Sequence, residues 1–159
     1  MPGRWQNATV VVRFECRTLL DTDAPAAFDR SLDIDEHLAS MAHSHERAVA
    51  GVTAGVIGLG DEVTWRARHF GVTWRMTSRI TALDRSKAFV DEQVRGPFRS
   101  FRHEHRFEAV GAGRTLMIDE VVFEAPFGPI GRLAELVLGP YLRRLIERRN
   151  AYLAARVDE

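Results

Sequence analysis

The sequence predicts an α+β fold: a curved, seven-stranded antiparallel sheet around a long C-terminal helix, with two short helices after the first strand. Three observations predict it. Segments of two-residue apolar alternation recur between Gly- and Asp-containing turns from Thr9 to Glu124. Two short helical patterns, at 26–33 and 34–41, are the interruption after the first of them. From Ile130 the apolar spacing follows the 3.6-residue period of a helix.

The elements follow in order. Thr9–Leu19 alternates Val10, Val12 and Phe14 with Arg13, Glu15 and Arg17, which is a half-buried strand. Asp23 and Pro25 are a helix N-cap and an early helical proline, so they start the first short helix. Both short helices are too short to persist alone and must pack on the sheet. Ala48–Ile57 is read as a Gly-punctuated strand, in which Gly51 and Gly55 suit a bend or a close backbone approach.

Glu62–His69 turns Val63, Trp65, Ala67 and His69 to one face. Val72–Ala82 does the same with Val72, Trp74, Met76 and Ile80, leaving Arg75, Thr77, Arg79 and Thr81 outside. In Ala88–Arg95 the parity shared with Phe89 favours an inward Asp91 and Gln93. The run GPFRSFRHEHRFE then carries Phe101, His103, His105 and Phe107 on one face. A strand built only for packing would carry Val or Ile where the two imidazoles stand. Gly111-Ala112-Gly113 is a hairpin, and Thr115–Glu124 returns with Met117, Asp119, Val121 and Phe123 inward.

Leu116, Ile118 and Val122 fall on the outer face of that strand, where polar residues are expected. Two readings stay open: a homodimer surface, or a face covered by the N-terminal segment. Phe127-Gly128-Pro129 breaks the strand pattern, and a helix runs from Ile130 to Arg156. Its apolar positions include Ile130, Leu133, Val137 and Tyr141, and Gly139-Pro140 should kink it.

Composition bounds the function. At 159 residues, with 45% apolar and 28% charged residues, the chain is expected to be one domain with its core at 9–156. The 22 basic residues balance the 22 acidic ones, which argues against nucleic acid or an anionic membrane as partner. A single cysteine, Cys16, forbids an internal disulfide and fits a cytoplasmic protein; in its strand it reads as a small core residue. The start lacks a signal-peptide pattern, and no run of 18 apolar residues suggests membrane insertion.

A curved sheet gripping one helix leaves a space between them, and inward residues line it. The candidates from the sheet are Trp65, His69, Trp74, Met76, Phe89, Asp91, Gln93, Phe101, Met117, Val121 and Phe123; from the helix, Val137 and Tyr141. Within this face His103, His105 and Asp119 lie together. They suit orientation of a ligand hydroxyl or carbonyl, proton exchange, or a hydrogen-bonded network that satisfies itself. His-x-His with Asp119 also suggests a metal, but no fourth ligand stands at a diagnostic spacing, so neither metal nor cofactor is expected.

The element order and the runs GVTAGVIGLGDEVTWRARHFG and FVDEQVRGPFRSFRHEHRF resemble the bacterial SRPBCC proteins. These belong to the START, polyketide cyclase/dehydrase and birch-pollen-allergen-like superfamily with the helix-grip fold. The resemblance spans Phe14 to Leu153. It implies a deep, mostly apolar cavity and a hydrophobic or aromatic small-molecule ligand. The alternative it implies is an aromatase/cyclase, with His103 or His105 as base and Asp119 as its orienter.

Overall fold

The computed structural model describes residues 10–125 and 128–156; Thr9 and Phe127 lie outside them. The elements are β1 (Val11–Leu20), α1 (Ala24–Ser31), α2 (Ile34–Ser40), a 3-10 turn (Ala42–Ser44), β2 (Arg47–Gly51), β3 (Glu62–His69), β4 (Val72–Asp84), β5 (Ala88–Arg95), β6 (Ser100–Gly111), β7 (Arg114–Glu124) and α3 (Gly128–Ala155). The sheet order is β1-β7-β6-β5-β4-β3-β2, antiparallel throughout. The chain is therefore a meander from β2 to β7, with β1 closing on β7. This is the helix-grip arrangement.

Local chemistry sets the corners. Asp23 caps α1 by accepting from the Ala26 amide at 2.9 Å, and Asp33 caps α2 by accepting from Asp35 at 2.8 Å. The β3–β4 hairpin turns on Phe70 and Gly71, both at positive φ (53° and 72°). Two such residues match the right-handed twist of the flanking strands, but a phenylalanine there is uncommon.

Three expectations are corrected. β2 does not extend to Ile57. It ends at Gly51, whose φ is 72° and whose Cβ position is blocked by the Glu62 carbonyl, so the chain leaves the sheet there. The segment instead supports α2: Ile34 donates to the Gly55 carbonyl at 2.9 Å, and Gly55 donates to Asp35 Oδ2 at 2.9 Å. In β4, Val72 is exposed at the hairpin end, whereas Thr77 is buried on the outer face with its hydroxyl 2.8 Å from that of Thr64.

The third correction concerns α3. One helix spans Gly128–Ala155 with Pro140 inside it, and what is corrected is the face that its first half buries. In its first half Ile130, Leu133 and Val137 are exposed, and Gly131, Glu135 and Gly139 are buried instead. These three share one helical ridge. A Cβ on Gly139 would stand 3.4 Å from Val12, so the small residues permit the helix to approach β1 closely and turn the larger ones outward. In the second half Leu145, Arg149, Asn150 and Leu153 are buried.

Two clusters make the core. One joins Phe28 of α1 edge-on to Phe89 and Phe107, at 5.7 and 5.6 Å between ring centroids. The other packs Phe14, Cys16, Val121 and Phe123 against Leu142 and Ile146 of α3. Burial pushes the Cys16 thiol up to about 11, which leaves it inert at neutral pH. On the outer face Ile118 is buried between Arg17 and Arg106, and Val122 stands between Arg13 and Arg102. These arginines bridge to a row of Glu15, Glu120 and Glu104, so their stems cover apolar surface within the chain.

Candidate functional site

Strand alternation and register build the site. His105 of β6 lies opposite Asp119 of β7 and Phe89 of β5; His103 lies opposite Asp91. All of these side chains share the concave face that α3 covers. His103 Nε2 donates to Asp119 Oδ1 at 2.8 Å. His105 Nε2 donates to Asp91 Oδ2 at 2.9 Å. His105 Nδ1 stands 3.1 Å from Asp119 Oδ1, out of line for a hydrogen bond, so this contact is electrostatic. The rings of Phe89, His105 and His103 form a stack, with centroids 4.1 and 3.7 Å apart.

Two further partners come from α3, and sequence reading missed both. Arg149 donates to Asp119 Oδ1 at 3.2 Å and to Asn150 Oδ1 at 3.3 Å; Asn150 donates to Asp119 Oδ2 at 2.7 Å. A signal was available. Arg149 stands four residues after Leu145 and four before Leu153, in the middle of the apolar stripe. A charge placed there needs a buried counter-charge.

The protonation states follow from these contacts. Burial opposes ionisation of Asp119, but the two histidines and Arg149 outweigh it and hold the carboxyl well below its usual range. Asp91 is lowered too, because His105 and His103 outweigh burial. For His105 burial is again the largest influence, yet two flanking carboxylates win and raise it. His103 is lowered by burial and by the neighbouring His105, with Asp119 opposing. Of the two rings His105 therefore holds a proton more readily, and His103, lowered, is the neutral ring at neutral pH. Asp91 and Asp119 face His105 and Arg149 at 2.9–3.2 Å.

Neutral His103 has one defined tautomer. Its Nε2–H faces Asp119, so Nδ1 carries the lone pair, and Nδ1 has no partner among the described residues. His103 lines a cavity of about 210 Å³ between sheet and helix. Arg149 lines it too, with one amino group used on Asp119 and Asn150.

The remaining walls are mostly apolar, and their polar groups are paired. Trp65 Nε1 donates to Ser78 at 3.3 Å, His37 meets Glu46, and Trp74 Nε1 donates to the His69 carbonyl at 3.0 Å. His69 Nδ1 and the Tyr141 hydroxyl are 2.6 Å apart, tying β3 to α3.

Of the lining residues expected from sequence, Trp65, His69, Trp74, Met76, Phe89, Asp91, Phe101 and Tyr141 face this cavity. Five others do not. Gln93 folds back on its own loop, donating to the Phe98 carbonyl at 2.7 Å and accepting from the Phe98 amide at 3.2 Å. Met117, Val121 and Phe123 are fully buried in the two core clusters beneath the wall. Val137 lines only an adjoining hollow. Alternation identifies the buried face but not which buried residues border empty space.

The metal question takes a different form from the sequence expectation. Ligand atoms of Asp91, His103 and His105 lie within 4.8 Å of one another, so the third ligand would be Asp91 and not Asp119. A divalent ion there would displace the His105 proton and lie near the Arg149 cation, which opposes binding.

No curated protein matches the chain in sequence. Among solved structures, the Zhui aromatase/cyclase from Streptomyces sp. R1128 superposes with a TM-score of 0.74 at 16% identity, over 91% of this chain and 92% of that one. A START superfamily protein from Mycobacterium smegmatis gives 0.69 at 10% identity, over 89% and 96%. Norcoclaurine synthase from Thalictrum flavum, in complex with dopamine and hydroxybenzaldehyde, gives 0.65 at 9% identity, over 99% and 95%. At these identities the likeness is one of fold. The sequence model described as polyketide cyclase / dehydrase and lipid transport matches residues 9–158, and the chain belongs to that family.

Proposed function

We propose that the chain binds a small hydrophobic or aromatic molecule whose hydroxyl or carbonyl edge lies between His103 and Arg149. One observation carries this reading. In a cavity whose other polar groups are mostly paired, His103 Nδ1 is a free acceptor, held in one tautomer by Asp119. A hydroxyl proton on the ligand meets that lone pair, and the aromatic walls supply the apolar contact.

Trp65 and Trp74 line the cavity, so tryptophan fluorescence reports its occupancy. The expected result is saturable quenching by 2-naphthol, with naphthalene roughly tenfold weaker, the value of about one hydrogen bond. His103→Phe should remove that difference while naphthalene binding remains. Absence of saturable binding across a panel of aromatic, polyketide and lipid compounds would overturn the reading.

The same groups favour a second reading, as an enzyme of the aromatase/cyclase type. An unprotonated His103 can take a proton from the carbon next to a ketone, and the free N–H groups of Arg149 can stabilise the enolate oxygen. Ring closure leaves an alkoxide, which takes that proton back from the imidazolium; His103, neutral again, then removes a second proton from the same carbon and passes it to the hydroxyl, which departs as water as the carbon–carbon double bond forms. His105 has both ring nitrogens against carboxylates, Nε2 on Asp91 at 2.9 Å and Nδ1 beside Asp119 at 3.1 Å, and so turns neither to a ligand for the base role. Under this reading His103→Gln lowers turnover of a polyketone sharply with binding retained.

A further inference from the structure

The cavity does not end at His69 and Tyr141. A second hollow of about 220 Å³ adjoins it, and the two share Phe70, Trp74, Pro97, Phe98 and Leu138 as wall. Ala134 and Val137 of α3 complete the outer hollow. Its wall holds no charged side chain. Its single polar side-chain atom, Trp74 Nε1, already donates to the His69 carbonyl at 3.0 Å. Phe70 and Val137 are 55% and 53% exposed, so the hollow presents apolar surface to water. Phe70 is held there in a backbone conformation (φ 53°) unusual for its type, with its ring 4.5 Å from that of Tyr141.

The inner cavity is of similar volume but differs in polarity. At about 210 Å³ it is somewhat larger than the roughly 150 Å³ that accepts benzene. It therefore suits a head of one or two rings. Its charged groups are already engaged: Asp91 and Asp119 with His105 and Arg149, Glu46 with His37, and Asp33 with the first amides of α2, so a charged head would have to break one of these contacts to find a counter-ion.

Resting on the binding reading above, we infer that the ligand is an uncharged, two-part molecule: a hydroxylated or oxo aromatic head in the inner cavity and an apolar tail in the outer hollow. The head meets His103, and the tail passes between Trp74, Phe98 and Leu138. There it covers surface that is otherwise wet.

The test is a titration with 4-alkylphenols from ethyl to hexyl, alongside 2-naphthol and 4-hexylbenzoate. Each methylene buried in the outer hollow should tighten binding about fourfold. The hexyl compound should exceed the ethyl one at least tenfold, and 4-hexylbenzoate should bind at least tenfold more weakly than 4-hexylphenol. Ala134→Trp, which fills the outer hollow, should bring the hexyl compound down to the ethyl level. If 4-ethylphenol and 2-naphthol bind but longer chains gain nothing, the tail site is wrong and the head site stands. Equal binding of the benzoate overturns the uncharged head. If no compound in the series binds, both the head reading and this inference fall.

Discussion

The two halves of α3 treat the sheet differently. From Pro140 onward the helix buries Leu145, Arg149, Asn150 and Leu153, and two of these bond directly to Asp119. Before Pro140 it leaves Ile130, Leu133, Leu136 and Val137 exposed, and it approaches Ala125 through Gly131 and β1 through Gly139. The second half is held by apolar contact and by charges in fixed geometry. The first half borders the open hollow and contributes little of its own apolar surface to the core. A helix gripped at one end and loosely covered at the other suits a cavity that must admit a ligand without the sheet opening.

The largest effect is expected at the gripped end. Asp119 is fully buried and is the one carboxylate that His103, Arg149 and Asn150 all reach. Asp119→Asn keeps the shape but leaves the buried Arg149 cation, and the histidines beside it, short of a counter-charge. Breaking one partner from such a buried group costs about 3–5 kcal/mol. Urea unfolding at neutral pH measures it, and a loss under about 1 kcal/mol would mean that the second half is held by packing alone.

An intermediate effect is expected from pH, again through the second half. The lowered Asp119 and Asp91 contribute stability that is present above the ordinary carboxylate range and is lost as pH falls through their folded values. The lowered His103 acts in the same sense from about pH 6.5 downward, because the unfolded ring takes a proton that the folded one resists. The raised His105 acts oppositely: its contribution is complete below about pH 6.5 and disappears as pH rises through its folded value. Wild-type stability should therefore have a shallow maximum near neutrality and fall steeply in acid. In Asp119→Asn the acid limb should flatten. An unchanged acid limb would place the linkage elsewhere.

The same contrast explains what was legible in the sequence. Strand periodicity identified the seven strands, and parity placed His103, His105, Asp119 and Asp91 on one face, because side-chain direction on a strand is set by the backbone. Three features depended on longer range. β2 ends early because Gly51 turns at φ 72° against the Glu62 carbonyl of the strand it pairs with, a contact that apolar alternation along β2 does not reveal. Arg149 and Asn150 were hidden because helical periodicity was scored on apolar residues, and a buried arginine looks like a surface one until its partner is known. The first half of α3 reversed its faces because Gly131 and Gly139 allowed close approach, a choice made by packing against Ala125 and against Val12 of β1. Met117, Val121 and Phe123 were correctly inward, but only the shape of the helix decides which inward residues border the cavity.

The smallest effect belongs to the loosely covered half. Leu136 is 73% exposed on the face of α3 that carries Ile130 and Leu133. Leu136→Gln removes no buried contact among the described residues, and glutamine has nearly the helix propensity of leucine. Stability should change by no more than about 0.5 kcal/mol, measured by urea unfolding at two protein concentrations tenfold apart. The concentrations carry the argument. If the exposed leucines are free, wild type and variant unfold alike at both. If a second copy of the chain covers them, wild type gains stability with concentration and the variant loses that gain. The same face that borders the outer hollow would then be an interface, and the contrast between the halves of α3 would hold for the monomer alone.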